Sequence, residues 1–190
     1  MIIYVEGPAG AGKTSFVKRL AKEYGSSFIV IDEYMGEEDE STRKGLDTFM
    51  AHTDQKIQHL QSLGDQDRHI LVDRGYYSMI VNAIVEEKLG IRAQVHEIEK
   101  WLEKNQANLV HPDLIVFIHA PATLIHERAK ENGWHREDLG WTADPEMAVS
   151  VYHEVFEVHA SGIPILQLDG SLDTDKLVDE FLDSDGISIS

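Results

Sequence analysis

Eight consecutive residues, Gly7-Pro8-Ala9-Gly10-Ala11-Gly12-Lys13-Thr14, carry the clearest chemistry in the chain. They match the spacing G-x-x-x-x-G-K-[ST]. The apolar run Ile2-Ile3-Tyr4-Val5 precedes them, and helical spacing of Phe16, Val17, Leu20 and Tyr24 follows. Glycines at these positions let a tight turn aim successive backbone N–H groups inward. The start of a helix adds unpaired N–H groups and a positive dipole end. Such a cradle suits a chain of phosphates. Gly7, Ala9, Gly10, Ala11, Gly12, Lys13, Thr14 and Ser15 are therefore expected to bind a nucleotide's phosphates. Lys13 would reach the outer phosphates and the Thr14 hydroxyl would hold Mg²⁺.

Further charged residues stand directly after other short apolar runs. Phe28-Ile29-Val30-Ile31 ends in Asp32-Glu33, and His69-Ile70-Leu71-Val72 ends in Asp73-Arg74. The run from Ile163 to Leu168 ends in Asp169-Gly170-Ser171. Asp73 has the position of a carboxylate that holds Mg²⁺ opposite Thr14. Arg74 is placed either for bidentate bonds to a phosphate or for an ion pair with Asp32 or Glu33. Neighbours in an extended strand point to opposite faces, so only one of Asp32 and Glu33 faces the site. Glu33 is the candidate to hold an acceptor hydroxyl or take its proton.

Arg128 and Arg136 flank Gly133, a helix breaker, so the segment at about 128–142 reads as a lid. Two guanidinium groups closing over a transferring phosphoryl group would offset its charge and exclude water. The competing reading is a solvated helix laced with Glu127, Glu131 and Glu137. Trp134 and Trp141 would pack the lid or stack on a base, while Trp101 sits at core spacing. Tyr76 and Tyr77 either shape an acceptor pocket or bury their rings. The ten histidines are scattered, with no H-E-x-x-H pattern to suggest a metal site.

These positions require a sheet that presents its strand ends together. Helical patterns run Lys13–Tyr24, about Thr42–Leu63, Tyr77–Leu89, Gln94–Leu109 and from Pro121 to near Gly133. Asp144-Pro145-Glu146 starts another helix with Val149, Tyr152, Phe156 and His159 behind it, and Leu172, Leu177, Val178 and Phe181 mark a last one. Short apolar strands alternating with helices predict a three-layer α/β/α fold around a mostly parallel five-stranded sheet. Residues 1–190 are read as one domain. Ligands of such a sheet sit beyond the carboxyl ends of its strands.

The chain has 190 residues and a net charge of −17, which opposes nucleic acid and anionic membranes over most of its surface without excluding a local basic face. It contains no cysteine, so neither a disulfide framework nor a Cys metal site is available. No apolar stretch approaches the roughly 20 residues that span a bilayer. The amino terminus reads as a core strand, not a secretion signal, and a cytoplasmic location is the default.

With these residues in place, the chain resembles the thymidylate kinase and deoxynucleoside kinase group of P-loop kinases. The carrying pieces are Glu6 to Thr14, Val72 to Ser78, Pro112-Asp113-Leu114-Ile115, Arg128 to Glu137 and Leu168-Asp169-Gly170. The resemblance implies ATP as donor, Mg²⁺ as cofactor and a small-molecule acceptor. It also implies that Asp73 and Arg74 serve the metal and acceptor end, that Arg128 and Arg136 clamp donor phosphates, and that Asp169–Ser171 passes the adenine. Homodimers are common in the group, and Trp101 with its apolar neighbours would be a candidate subunit face. Departures are Gln55 where thymidylate kinases carry arginine, Asp32-Glu33-Tyr34 where deoxynucleoside kinases carry Glu-Pro, and a lid poorer in arginine. The expected activity is transfer of the γ-phosphoryl group of ATP to a (deoxy)nucleoside or its monophosphate. The rivals are another small metabolite or a modified base or 5′ end in nucleic acid as acceptor, and a regulatory ATPase.

Overall fold

The computed structural model describes residues 1–33, 46–64, 67–133 and 144–184. Five strands, β1 (Ile2–Glu6), β2 (Phe28–Ile31), β3 (His69–Asp73), β4 (Leu114–His119) and β5 (Ile165–Asp169), form one sheet in the order β2-β3-β1-β4-β5. Every pairing is parallel, so the sheet is wholly rather than mostly parallel. The described helices are α1 (Lys13–Tyr24), α2 (Leu46–Leu63), α3 (Tyr76–Lys88), α4 (Val95–Asn105), α5 (Ala122–Glu131), α6 (Pro145–His159) and α7 (Thr174–Leu182).

Alternation along the strands divides the interior in two. Ile3, Val5, Leu71, Val116 and Ile118 face a core closed by Phe16, Leu20, Leu177 and Phe181 of α1 and α7. Tyr4, Val72, Ile115 and Phe117 face the larger core, built with α2, α3, α4 and α6. Burial on both faces is why the strands read as apolar runs without polar alternation. The register sets Val5 beside Asp73 and Glu6 beside Phe117, which brings the ends of β1, β3 and β4 to one edge.

Local signals fix several boundaries. The Asp144 side chain accepts a hydrogen bond from the Met147 N–H at 2.9 Å, capping α6, and Pro145 takes its first turn. Helix α5 stops where Gly133 adopts φ 68, as the helix-breaker reading requires. Helix α4 is shorter than its apolar spacing suggested, giving way to a 3₁₀ turn at Gln106–Asn108 before the chain enters β4.

One open choice is decided and one expectation is corrected. Of the two readings of Tyr76 and Tyr77, the structure shows the buried one. Their rings are buried in the larger core against Tyr4, and the Tyr76 hydroxyl donates to that of Tyr77 at 2.9 Å. Trp101 does not offer a subunit face, because it is buried within the chain and its Nε1 donates to Asp54 at 3.0 Å. Among the described residues, no helix is long and apolar enough to cross a membrane. Arg136, Trp134, Trp141 and the acidic stretch from Gly36 to Arg43 lie outside the described residues.

Candidate active site

The loop between β1 and α1 is shaped by glycines at φ 141 (Gly7), 80 (Gly10) and 103 (Gly12), all in the region that L side chains avoid. At Gly7 space is also decisive: a Cβ there would lie 2.0 Å from the Ile118 carbonyl oxygen of β4. Three segments distant in sequence hold the loop from behind. The Gly7 carbonyl accepts from the Tyr152 hydroxyl at 3.0 Å and from Arg74 Nη1 at 3.1 Å. The Gly10 carbonyl accepts from Arg128 Nη1 at 2.9 Å. Lys13 Nζ donates to the Pro8 carbonyl at 2.7 Å, so the loop's one ammonium rests on its own loop. Burial, with the Arg74 charge behind it, pushes Lys13 down to about 7 against the pull of Asp73, Glu33 and Glu6.

Opposite this loop stands Asp73 at the end of β3. Its Oδ2 accepts from the Thr14 hydroxyl at 2.8 Å, while its Oδ1 is buried without a hydrogen-bond partner among the described residues. A hydroxyl and a carboxylate oxygen facing a phosphate cradle form the hard-oxygen pair that suits Mg²⁺, which takes few protein ligands and completes its shell with phosphate and water. Among the described residues no group of three or more His, Asp or Glu side chains would hold a metal alone.

Arg74 leaves the strand with φ 60, a left-handed backbone that a side-chain-bearing residue rarely adopts. Its Nε lies 2.7 Å from Glu33 Oε1. Of the two placements open to Arg74, the structure shows the ion pair. It also decides between the two neighbouring acids, because Asp32 is exposed and Glu33 turns inward. Burial would raise the Glu33 carboxyl, but Arg74, then Lys13 and Lys56, hold it below its ordinary value. Glu33 and Arg74 open onto a narrow cleft walled by Phe49, His52 and Thr53 of α2 and by Met79 of α3.

Four residues that spacing did not single out complete the site. Lys56 of α2 is buried beneath the cleft, and its ammonium donates to the Asp73 and Arg74 carbonyls at 2.7 and 2.8 Å. Burial lowers it to about 8. Glu6, fully buried at the end of β1, accepts from the Gly75 N–H at 2.8 Å and meets the Ser78 hydroxyl through its second oxygen. Ser78 in turn lies 2.8 Å from the Tyr152 hydroxyl. The two hydroxyl protons of Ser78 and Tyr152 must serve three contacts, counting that to Gly7, so a protonated Glu6 carboxyl completes the chain. Burial works in the same direction, raising Glu6 to about 7. An acid ending an otherwise apolar strand was the available signal.

The remaining candidates are placed as follows. Ser15 is exposed on the first turn of α1. Asp169 is exposed at the end of β5 and accepts from the Ser171 N–H at 2.9 Å. The next residue, Gly170, packs so tightly on the phosphate loop that a Cβ there would lie 2.3 Å from the Ala11 carbonyl oxygen. Lys13, Thr14, Glu33, Asp73, Arg74 and Arg128 thus converge, with Asp169 beside them.

Residues 6–142 match the family AAA_17, described as AAA domain. Among related sequences, a protein of Thermococcus gammatolerans provisionally named adenylate kinase is 26% identical over 165 residues, covering 87% of this chain and 75% of its own length. One of Methanosarcina mazei with the same name is 24% identical, covering 96% and 89%. Among solved structures, deoxyadenosine kinase of M. mycoides with bound dATP superimposes with a TM-score of 0.72 at 17% identity, covering 96% of this chain and 97% of its own. Thymidylate kinase of Candida albicans gives 0.66 at 19%, covering 95% and 88%. The chain therefore belongs to the AAA_17 family and has the α/β fold of the P-loop nucleoside and nucleotide kinases.

Proposed function

We propose that this phosphotransferase moves the γ-phosphoryl group of ATP to a hydroxyl of a (deoxy)nucleoside, the whole chain working as one kinase domain. The observation that carries the reading is the Glu33–Arg74 pair at the mouth of the cleft, facing the phosphate loop. A carboxylate kept ionised there suits a neutral hydroxyl better than a second phosphate. Residues 7–15 bind the triphosphate through backbone N–H groups, and Lys13 leaves the Pro8 carbonyl for the outer phosphates. Arg128 exchanges Gly10 for phosphate oxygens, with Arg136 as its partner in the lid at about 128–142. The turn at Asp169 passes the adenine beside Ala11. Thr14 and Asp73 would hold Mg²⁺, which supplies charge neutralisation on the phosphates when bound. Glu33, oriented by Arg74, receives the proton of the attacking hydroxyl.

A second reading, a nucleoside monophosphate acceptor, is favoured by the relatives' provisional adenylate kinase names and by the cations Lys56 and Arg74 at the cleft. A panel of nucleosides and monophosphates incubated with ATP and Mg²⁺ separates the two. Nucleoside monophosphate as product is expected. Diphosphate alone would move the acceptor assignment to the second reading, and no turnover above ATP hydrolysis would overturn both.

A further inference from the structure

We infer that Lys56 is a positioning residue, which holds the turn after β3 so that Asp73 meets Thr14 and Arg74 meets Glu33. The inference rests on the proposed kinase reading but is argued from the backbone. Asp73 is the last residue of β3, paired with Val5, and Arg74 follows the strand, so their carbonyls stand where the ladder runs out, on two buried residues. Buried carbonyls need donors. Both receive theirs from one ammonium, at 2.7 and 2.8 Å. Between them sits the φ of 60 at Arg74, the only positive φ of a non-glycine residue among those described. Strain of this kind persists where surrounding contacts over-determine it. Here the Arg74 N–H donates to Val5 at 3.1 Å, the Gly75 N–H to Glu6 at 2.8 Å, and Lys56 takes the carbonyl side.

The chemistry of the donor matters. A water or a hydroxyl would satisfy these carbonyls without burying a charge, which is costly unless opposite charges surround it. Lys56 has them, because Glu33 and Asp73 both act on its ammonium. Its helix also carries His52 and Thr53 along the cleft wall, so this side chain joins the acceptor's wall to the reacting strand end. Lys56 touches neither transferred group nor metal in this scheme. It acts through Asp73 and Arg74.

The test compares wild type with Lys56→Met and Lys56→Gln, the latter keeping an uncharged donor. Per folded molecule, Lys56→Met is expected to lose roughly tenfold to a hundredfold in kcat, the range for slightly misplaced reacting groups, with KM for ATP within about twofold. Lys56→Gln should lose less. Loss of melting temperature with kcat unchanged would make the residue merely structural and overturn the inference. Should Lys56→Met not fold, Lys56→Gln carries the same comparison. Amide hydrogen exchange supplies a readout that needs no turnover. Faster exchange at Arg74 and Gly75, with the 7–14 loop unchanged, is expected even if no acceptor is phosphorylated, an outcome that would refute only the kinase reading. Unchanged protection at Arg74 and Gly75 refutes the role of Lys56.

Discussion

Replacing Glu33 by glutamine keeps its shape and removes its charge, so it separates what the carboxylate does chemically from what it does structurally. The wild-type side chain is 24% exposed and pairs with Arg74 at 2.7 Å, which places it between a surface ion pair and a buried one. A charge-assisted bond in that setting contributes about 1–3 kcal/mol, and its loss removes the carboxylate from a nearly buried guanidinium that also donates to Gly7 and Ser78. The Glu33→Gln variant should therefore unfold about 1–3 kcal/mol more easily at pH 7. Because the folded carboxyl is held below its ordinary value of 4.5, its stabilisation is present above that value and lost as pH falls through the folded one. The gap between wild type and variant should narrow in acid. Loss of a proton acceptor should lower kcat by about 10²–10⁴. Urea melts at pH 7 and at pH 4 or below, with kcat for the best acceptor, test all three statements. A kcat within about threefold of wild type would refute the assignment of Glu33 to the reaction. A stability gap that stays constant into acid would refute the ion-pair account.

Other perturbations follow from the same geometry. At pH 8 most Lys13 amines, lowered to about 7 in the free protein, are neutral, so phosphates that restore the charge should draw in close to one proton. Titration calorimetry in two buffers of different ionisation enthalpy should show this uptake at pH 8 and its disappearance at pH 6, and equal heats at pH 8 would contradict it. In Glu6→Gln the amide donates where the protonated acid does, so folding at pH 5 should change by less than about 1 kcal/mol. With the wild-type carboxyl raised to about 7, its protonated form stabilises fully below the ordinary 4.5 and less as pH climbs through 7. The variant should gain on wild type between pH 5 and 8, and melts that stay parallel would argue against a protonated Glu6. Gly170→Ala puts a methyl 2.3 Å from the Ala11 carbonyl and should cost about 1–3 kcal/mol and raise KM for ATP, with kcat less affected. Asp73→Asn should raise the Mg²⁺ concentration for half-maximal rate by about 10–100-fold, and an unchanged Mg²⁺ dependence would remove Asp73 from the metal.

Strand ends and the phosphate loop were legible because parallel strands buried on both faces leave unmistakable apolar runs, and glycine spacing marks the turn. Helix α1 and strand β2 fall at the residues their patterns indicated. The orientation of Glu33 against Asp32 needed the end of β2 to be placed beside β3. Lys56 was hidden for a different reason. It lies on the apolar stripe with Thr53, Ile57 and Leu60, but a lysine among helical residues ordinarily reads as solvated, and only the fold supplies two carbonyls above it. Tyr76 and Tyr77 stayed open between two readings because they directly follow the Asp73-Arg74-Gly75 turn, and it is the start of α3 that turns them into the core. The hydroxyl contact between Ser78 and Tyr152 carries no signal in the sequence, because it exists only once α3 and α6 are packed together.

The tethering of the Gly7 and Gly10 carbonyls has a consequence for how nucleotide is attracted. With those oxygens pulled back by Tyr152, Arg74 and Arg128, the hollow of the loop is left to its amide hydrogens, a small positive spot on a protein of net charge −17. Attraction built from fixed dipoles at contact range is nearly indifferent to dissolved ions, unlike capture by a broad field of lysines. In the scheme proposed above Lys13 and Arg128 add charge that salt screens, so the share of the affinity that persists in brine is the share the loop's amides supply.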